Sequence, residues 1–455
     1  MTTITSPRSR GRALAWVSIA LAATAVAITL GAYGYYWRIQ NSIRHEDPNK
    51  LITGERPRKL NDALNILMLG SDTREGANVQ YGRSLRDKLP ASDTMILLHL
   101  SPGGGQAVGI SFARDLMVPI PACRREDGSR APASSLAMLN EAIGRAGPTC
   151  TIDTLEKLTR IKIDHFVQVD FVGFEKITSA VGGVPICLDE AVNDPKSGLN
   201  LGKGPHRVEG KQALAYVRAR KEIGDGSDTQ RIQRQQRFLG SLAKQAMSGG
   251  VLTDPGRLNT LLTSSARSLT TDRELTVSRM LKIAQGMRDL TAGRVRFLTV
   301  PDEPYAPDRN RRQLAQPAAT RFLNAVRNDE KITEPAPPPP IQAAIRVLNG
   351  SGAEGQARLA AATLTERGFK VTKVGNLRSP AAKTQIRYGK GGAAQAKAIA
   401  ALIPGAKPVA SASVPSGTVD VVLGPDFTGL KIAGIPRQQG EHRASDALCA
   451  EDQGS

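Results

Sequence analysis

Two aspartates and a scattered set of arginines are the residues whose types and spacing could do chemistry here. Leu67-Met68-Leu69-Gly70-Ser71-Asp72 places one aspartate just past an apolar run that closes on glycine. Ala91-Ser92-Asp93-Thr94 places a second just before the next apolar run, and Ile110 to Arg114-Asp115 ends a third run on an arginine–aspartate pair. In open α/β sheets the ends of strands are where ligands sit. Asp93 enters its strand while Asp72 leaves its own, so they share an end if the two strands are antiparallel. That arrangement implies a mixed sheet.

The richest stretch runs from Gly210 through Tyr216-Val217-Arg218-Ala219-Arg220 to Gly224-Asp225-Gly226-Ser227-Asp228 and on to Gln236. If Val217–Arg220 is extended, Arg218 and Arg220 point the same way. Asp228 stands where a helix N-cap is expected, with the helix running from Thr229. On that helix Arg231, Arg234 and Gln235 are i, i+3 and i+4 neighbours and share a face. Ile232, Leu239, Leu242 and Ala246 form an apolar stripe that Gln235 and Gln236 interrupt, and a buried amide needs partners. Cations near a helix N-terminus oppose its dipole, a cost that a bridging anion would offset.

Taken singly, Gly-Ser-Asp is an ordinary turn and an arginine-rich helix start is ordinarily solvated. Together, at strand ends and a helix start, the pieces point to one site. Arg114, Arg218, Arg220, Arg231 and Arg234 with two or three carboxylates suit a diphosphate bound with Mg²⁺. Guanidinium forks match phosphate oxygens bidentately, and Mg²⁺ is usually held by one or two carboxylates plus phosphate. Phosphoryl transfer needs positioning and charge neutralisation more than covalent help.

The elements that must position these groups read as α/β. Leu64–Leu69, Thr94–Leu100, Ala107–Phe112, His165–Phe171, Val184–Leu188 and Val295–Val300 have strand length and composition, with helical stretches at Ile152–Leu158 and Gln230–Ala246. The alternation predicts one mixed central sheet sandwiched between helices over residues 61–328. Glu334–Pro340 is a polyproline segment inside a linker at 329–342. A small α+β domain is expected at 343–428: strands at Ile345–Leu348, Phe369–Val374, Thr384–Tyr388 and Val419–Leu423, and helices at Gln356–Arg367 and Ala393–Leu402. Residues 429–455 read as a tail.

Ahead of these domains, residues 13–37 carry no charged side chain. As a helix those residues span about 37 Å, enough for a bilayer core of about 30 Å. Arg8, Arg10 and Arg12 precede the run, which places residues 1–12 in the cytoplasm, and Tyr33, Tyr35, Tyr36 and Trp37 form an interfacial belt at its far end. A cleaved signal peptide is the rival, but the run is longer than a signal core. Residues 38–60, polar and interrupted by Pro48 and Pro57, read as a tether. The bulk of the chain is therefore expected outside the cytoplasm, single-pass at the cell membrane. Its formal net charge of +19 then calls for a polyanion other than nucleic acid. Four cysteines fit an oxidising compartment. Cys123–Cys150 would staple a Pro/Gly-rich loop and Cys187–Cys449 would tie back the tail; the alternative for Cys187 is a buried small residue.

At these residues the chain resembles the LytR–CpsA–Psr family of cell-wall glycopolymer ligases over Leu64 to Leu242. The Tyr216–Arg220 to Gln236 block is the specific part. Ile345–Gly350 to Val421–Asp426 resembles the LytR C-terminal accessory domain. The resemblance implies transfer of a wall polymer, such as teichoic acid or arabinogalactan, from a polyprenyl-pyrophosphate carrier to the C6 hydroxyl of muramic acid in peptidoglycan. It implies Mg²⁺ or Mn²⁺ at Asp72 and Asp93, and pyrophosphate binding by Arg114, Arg218, Arg220, Arg231 and Gln235. Asp228 would orient the arginines or help deprotonate the acceptor. Asp115 and Arg234 fall inside matching motifs with vaguer roles. Two positions depart from the family pattern: Ala91 stands where an arginine is frequent, with Arg83, Arg86 or Lys88 as replacements, and Met138 stands for a lysine ahead of Asn140. A lipid-precursor-binding regulator and a polyprenyl-pyrophosphate hydrolase are the competing readings, and the Asp72/Asp93 pair argues against a pure binder.

Overall fold

A computed structural model of the chain describes residues 8–73, 76–81, 91–219, 228–248, 250–251, 254–287, 294–331, 343–366, 368–377, 379–403, 405–430, 441–444 and 449. It divides into two compact units, Met1–Gln313 with His442–Ser455, and Leu314–Glu441. The first unit opens on helix α1 (Arg8–Gln40). Among the described residues, Ala15–Gln40 is the segment long and apolar enough to cross a bilayer. The last turn of α1 is not lipid-like in its contacts, because Tyr36, Ile39 and Ile43 pack with Ala266, Val277 and Met280.

The central sheet is mixed. Its strands are β1 (Arg44–Glu46), β2 (Leu64–Ser71), β3 (Ser92–Leu100), β4 (Ala107–Phe112), β5 (His165–Val169), β8 (Leu269–Asp272), β9 (Val295–Thr299) and β15 (His442–Arg443). The spatial order is β1-β8-β5-β2-β3-β4-β9-β15. β2 runs antiparallel to β3 and parallel to β5, while β4 runs antiparallel to β3 and parallel to β9. All six residues of β4 are buried, so both faces of the sheet are covered there, which explains why its apolar run shows no polar alternation beyond Ser111. Helices of this unit beyond α1 include α2 (Glu141–Thr159), α3 (Phe171–Ala180), α4 (Gly210–Arg218) and the long α5 (Asp228–Ser248).

Several expectations differ from what the structure shows. Residues 38–60 do not hang as a tether: β1 pairs with β8, Glu46 is 8% exposed, and Arg56 donates twice to Glu156 at 2.8 Å. The short strand was hidden because Arg44-His45-Glu46 looks like surface in composition, although Glu46 is buried and accepts from Thr149. The run His165–Phe171 stops as a strand at Val169; Asp170 accepts Gly173 N–H at 2.7 Å and starts α3 with Phe171 in its first turn. Strand β6 (Val184–Leu188) is outside the main sheet and forms a two-stranded ribbon with β7 (Gly204–Val208).

In the second unit, β10 (Ala344–Asn349), β11 (Val371–Asn376), β12 (Gln385–Tyr388), β13 (Pro408–Ala410) and β14 (Thr418–Leu423) make a sheet in the order β11-β10-β14-β12-β13. Helices α6 (Gln356–Glu366) and α7 (Ala393–Leu402) supply Ala360, Leu364 and Ile399 to its core beside Ile345, Val347 and Val421. The boundaries differ from those expected, since residues 314–328 belong to the second compact unit and 442–455 to the first. The tail is thus part of the first unit: β15 pairs with β9, and Ala444 packs with Ala107, Val295 and Phe297. The structure pairs Cys123 with Cys150 and Cys187 with Cys449.

Candidate functional site

β2 and β3 do end together. Asp72 N–H donates to Ala91 O at 3.2 Å, and Ala91 N–H donates to the Asp72 carboxylate at 2.6 Å. The register then slips: Gly70 faces Thr94 and Ser71 faces Ser92. Asp93 is the residue left over by this bulge, a device that re-aims a side chain at a sheet edge or active site. Gly70 sits in the same close approach: a Cβ there would lie 3.2 Å from Thr94 Cβ, which would have to give by a few tenths of an ångström. Arg114, two residues beyond β4, donates from Nη1 to Asp93 Oδ1 at 2.8 Å.

From the other side α4 and α5 bring the remaining groups. Arg218 is the last residue of α4 rather than part of an extended segment, so the expected strand-like alternation of Arg218 with Arg220 does not apply. Its Cζ lies 4.7 Å from the centre of the Phe171 ring. Arg231 is 5% exposed on the first turns of α5. Gln235 donates to Val217 O at 3.2 Å, and Thr94 Oγ1 donates to its amide oxygen at 3.5 Å.

These residues share one cavity of about 400 Å³, whose walls include Asp72, Asp93, Arg114, Arg218, Arg231 and Gln235. Behind the polar groups the wall is apolar: Ile96, Phe174, Ile177, Leu214, Phe238 and Leu242. Sequence reasoning named none of the apolar wall. A signal was present on α5, where Arg231, Gln235, Phe238 and Leu242 follow a 4-3-4 spacing, one stripe that turns from charged to apolar along the helix. Without the opposing strands, such a stripe cannot be told from ordinary core.

The remaining candidates fall elsewhere. Arg234 is buried, donates from Nη2 to Ala219 O, and has its pKa lowered by burial. It ties α5 to the end of α4 and does not line the cavity. Asp115 is buried at 9% exposure and is likewise absent from the cavity wall, with its carbonyl accepting Arg312 N–H at 3.2 Å. Gln236, expected to signal a polar site, instead donates to Ser111 Oγ and Thr299 Oγ1 across the sheet at 2.9 and 3.0 Å. Arg220, Arg83, Arg86 and Lys88 lie outside the described residues, and Asp228 starts α5 with its side chain undescribed.

Asp72, Asp93 and Asp170 are the carboxylates of the cavity wall, and both oxygens of Asp170 already accept hydrogen bonds, from Asn78 and Gly173. Among the described residues no three His, Cys, Asp or Glu side chains gather into a metal cage. A hard divalent ion at this place therefore needs ligand oxygens to complete its shell, which is how Mg²⁺ commonly binds with phosphates. The donor set fits a cation that arrives with a diphosphate.

Comparison with known proteins bears on both units. The profile of the LytR_cpsA_psr family matches residues 29–328, and that of the LytR cell envelope-related transcriptional attenuator matches residues 342–427. The cell wall biosynthesis protein LcpA of Corynebacterium glutamicum is 30% identical over 410 residues, covering 81% of this chain and 77% of that protein. The polyisoprenyl-teichoic acid–peptidoglycan teichoic acid transferase TagU of Enterococcus faecalis is 29% identical, covering 56% of this chain and 76% of that protein. Among solved structures, a LytR-Csp2A-Psr enzyme from Actinomyces oris aligns with a TM-score of 0.46 at 21% identity, over 62% of this chain and 95% of that one.

Proposed function

The chain belongs to the LytR–CpsA–Psr family, and from that premise we propose that it is a phosphotransferase moving a glycopolymer from a polyprenyl-pyrophosphate carrier to peptidoglycan. The observation that carries this reading is the graded wall of one cavity of about 400 Å³, lined by guanidinium groups and carboxylates as well as by apolar side chains. A prenyl diphosphate has the same gradient. Its chain would gain about 25 cal/mol for each Å² removed from water, while Arg114, Arg218 and Arg231 neutralise the diphosphate.

Asp72 and Asp93 would hold Mg²⁺ or Mn²⁺ together with phosphate oxygens; the cation would supply charge neutralisation at the reacting phosphate. Arg114 is paired with Asp93 in this structure, so binding of the anion draws the guanidinium from carboxylate to phosphate. The muramic acid C6 hydroxyl then forms a bond to the polymer-side phosphorus, and the bond from that phosphorus to the bridging oxygen breaks. Polyprenyl phosphate leaves with the electron pair, and Asp228 is the side chain we assign to orienting the arginines or receiving the hydroxyl proton. The apolar helix within α1 would anchor the protein with residues 1–12 in the cytoplasm and the site outside.

The test is to incubate the protein with a lipid-diphosphate glycan and peptidoglycan fragments, with Mg²⁺ and with chelator, and to identify products by mass spectrometry. A phosphodiester-linked glycan on muramic acid, lost with chelator and restored by Mg²⁺ or Mn²⁺, is expected. Glycan phosphate released without acceptor product would make it a hydrolase. Bound but unconverted donor would make it a binder.

A further inference from the structure

Arginine at a cavity mouth needs something to hold it, because its long side chain carries substantial rotamer freedom. Arg218 sits at the very end of α4, where the backbone turns extended at Ala219. Its guanidinium lies over the face of Phe171, at a distance suited to a cation–π contact. Phe171 is in turn held edge-on by Tyr81, with ring centres 5.4 Å apart and planes at 77°.

Tyr81 belongs to a short turn, Gly76–Tyr81, that lies between the two aspartates in sequence. This turn is clamped to the start of α3 at several points. Asn78, 3% exposed, donates to Asp170 Oδ2 at 2.9 Å and accepts Val172 N–H at 3.2 Å. The Tyr81 hydroxyl donates to the Glu175 carboxylate, one helical turn beyond Phe171. Burial and that carboxylate push the Tyr81 pKa up, which keeps the hydroxyl a donor at any physiological pH.

We infer that Phe171 and Tyr81 are positioning residues: Phe171 presents Arg218 at the cavity mouth by stacking beneath its guanidinium, and Tyr81 fixes the ring in that attitude. This rests on the reading that the cavity takes a prenyl diphosphate. The chain segment that carries Asp72 and Asp93 thereby also sets where the arginine on α4 stands.

Packing alone would explain the rings without any role for Arg218, and the experiment is designed to separate the two. Phe171→Leu keeps apolar bulk and removes the π face; Tyr81→Phe keeps the ring and removes the bond to Glu175. Binding of farnesyl diphosphate and of uncharged farnesol is measured by calorimetry on the full chain in detergent. Phe171→Leu should weaken farnesyl diphosphate by about 2- to 30-fold and change farnesol by less than about twofold, with Tyr81→Phe shifting the same way by less. Phe171→Trp should restore affinity, and Phe171→Leu should add nothing in an Arg218→Ala background. Equal losses for both ligands, or additive losses in the double variant, would overturn the inference.

A ligand-free readout keeps it separate from the functional reading. Phenylglyoxal should modify Arg218 several-fold faster in Phe171→Leu than in the parent chain, as mapped by mass spectrometry. If the parent bound no farnesyl diphosphate, the diphosphate reading would fail; an unchanged rate of Arg218 modification would independently sink the stack.

Discussion

Arg114→Ala should separate binding from folding more cleanly than any other change at the site. In the ligand-free protein Arg114 makes a 2.8 Å ion pair with Asp93, and the two side chains are 23% and 45% exposed. Half-exposed pairs of this kind contribute about 0–1 kcal/mol. For a unit of this size that corresponds to a melting shift of no more than about 2–4 °C. With a diphosphate in the cavity, the same guanidinium would make charge-assisted bonds to a largely desolvated anion, worth about 1.5–3 kcal/mol. The expected loss of affinity for a prenyl diphosphate is therefore about 10- to 150-fold. Calorimetric titration with farnesyl diphosphate and thermal unfolding on the same preparations would give both numbers. Since Asp93 would lose its cationic neighbour, added Mg²⁺ should also bind the free variant no more weakly than the parent. A variant that melts many degrees lower while retaining affinity would mean that Arg114 is a structural residue, and the assignment of the phosphate end of the cavity would be refuted.

Three further outcomes follow from particular contacts. Ile177→Trp adds bulk to the apolar wall, so affinity for a long-chain prenyl diphosphate should fall by roughly tenfold with inorganic pyrophosphate unaffected; equal effects on both would rule out a chain in the cavity. Burial raises the pKa of Glu46 although Thr149 donates to it. Its contribution is thus fully present below about 4.5 and is lost as pH rises through the folded-state value, so Glu46→Gln should stabilise the protein at pH 7 and give no advantage at pH 4. Parallel stability profiles for the two proteins would contradict this. Non-reducing peptide mapping should recover Cys123 with Cys150 and Cys187 with Cys449, and removing the first pair, 27 residues apart, should cost about 3–4 kcal/mol by chain entropy; free thiols at these positions would count against both links.

The order of elements was largely legible because it rests on local chemistry. Ala107–Phe112 reads as a strand from its short, mostly apolar run, and the structure returns the same six residues. The mixed sheet was legible from Asp72 leaving and Asp93 entering neighbouring strands. Where reading failed, the signal was non-local. Arg44–Glu46 and His442–Arg443 are too short and too charged to read as strands, and become strands through pairing with β8 and β9.

By itself the sequence determined which groups could meet a diphosphate, since guanidinium and carboxylate chemistry is carried by residue type, and it determined where the apolar span lies, since that is compositional; the polyproline segment at Glu334–Pro340 lies outside the described residues. Tertiary structure alone decided which of those groups share a wall. Arg231 and Arg234 are three residues apart on one helix, yet the first lines the cavity and the second is spent on Ala219 O. That choice depends on the rotation of α5 against α4 and against sheet strands more than a hundred residues away, a property of packing that neither periodicity nor composition contains.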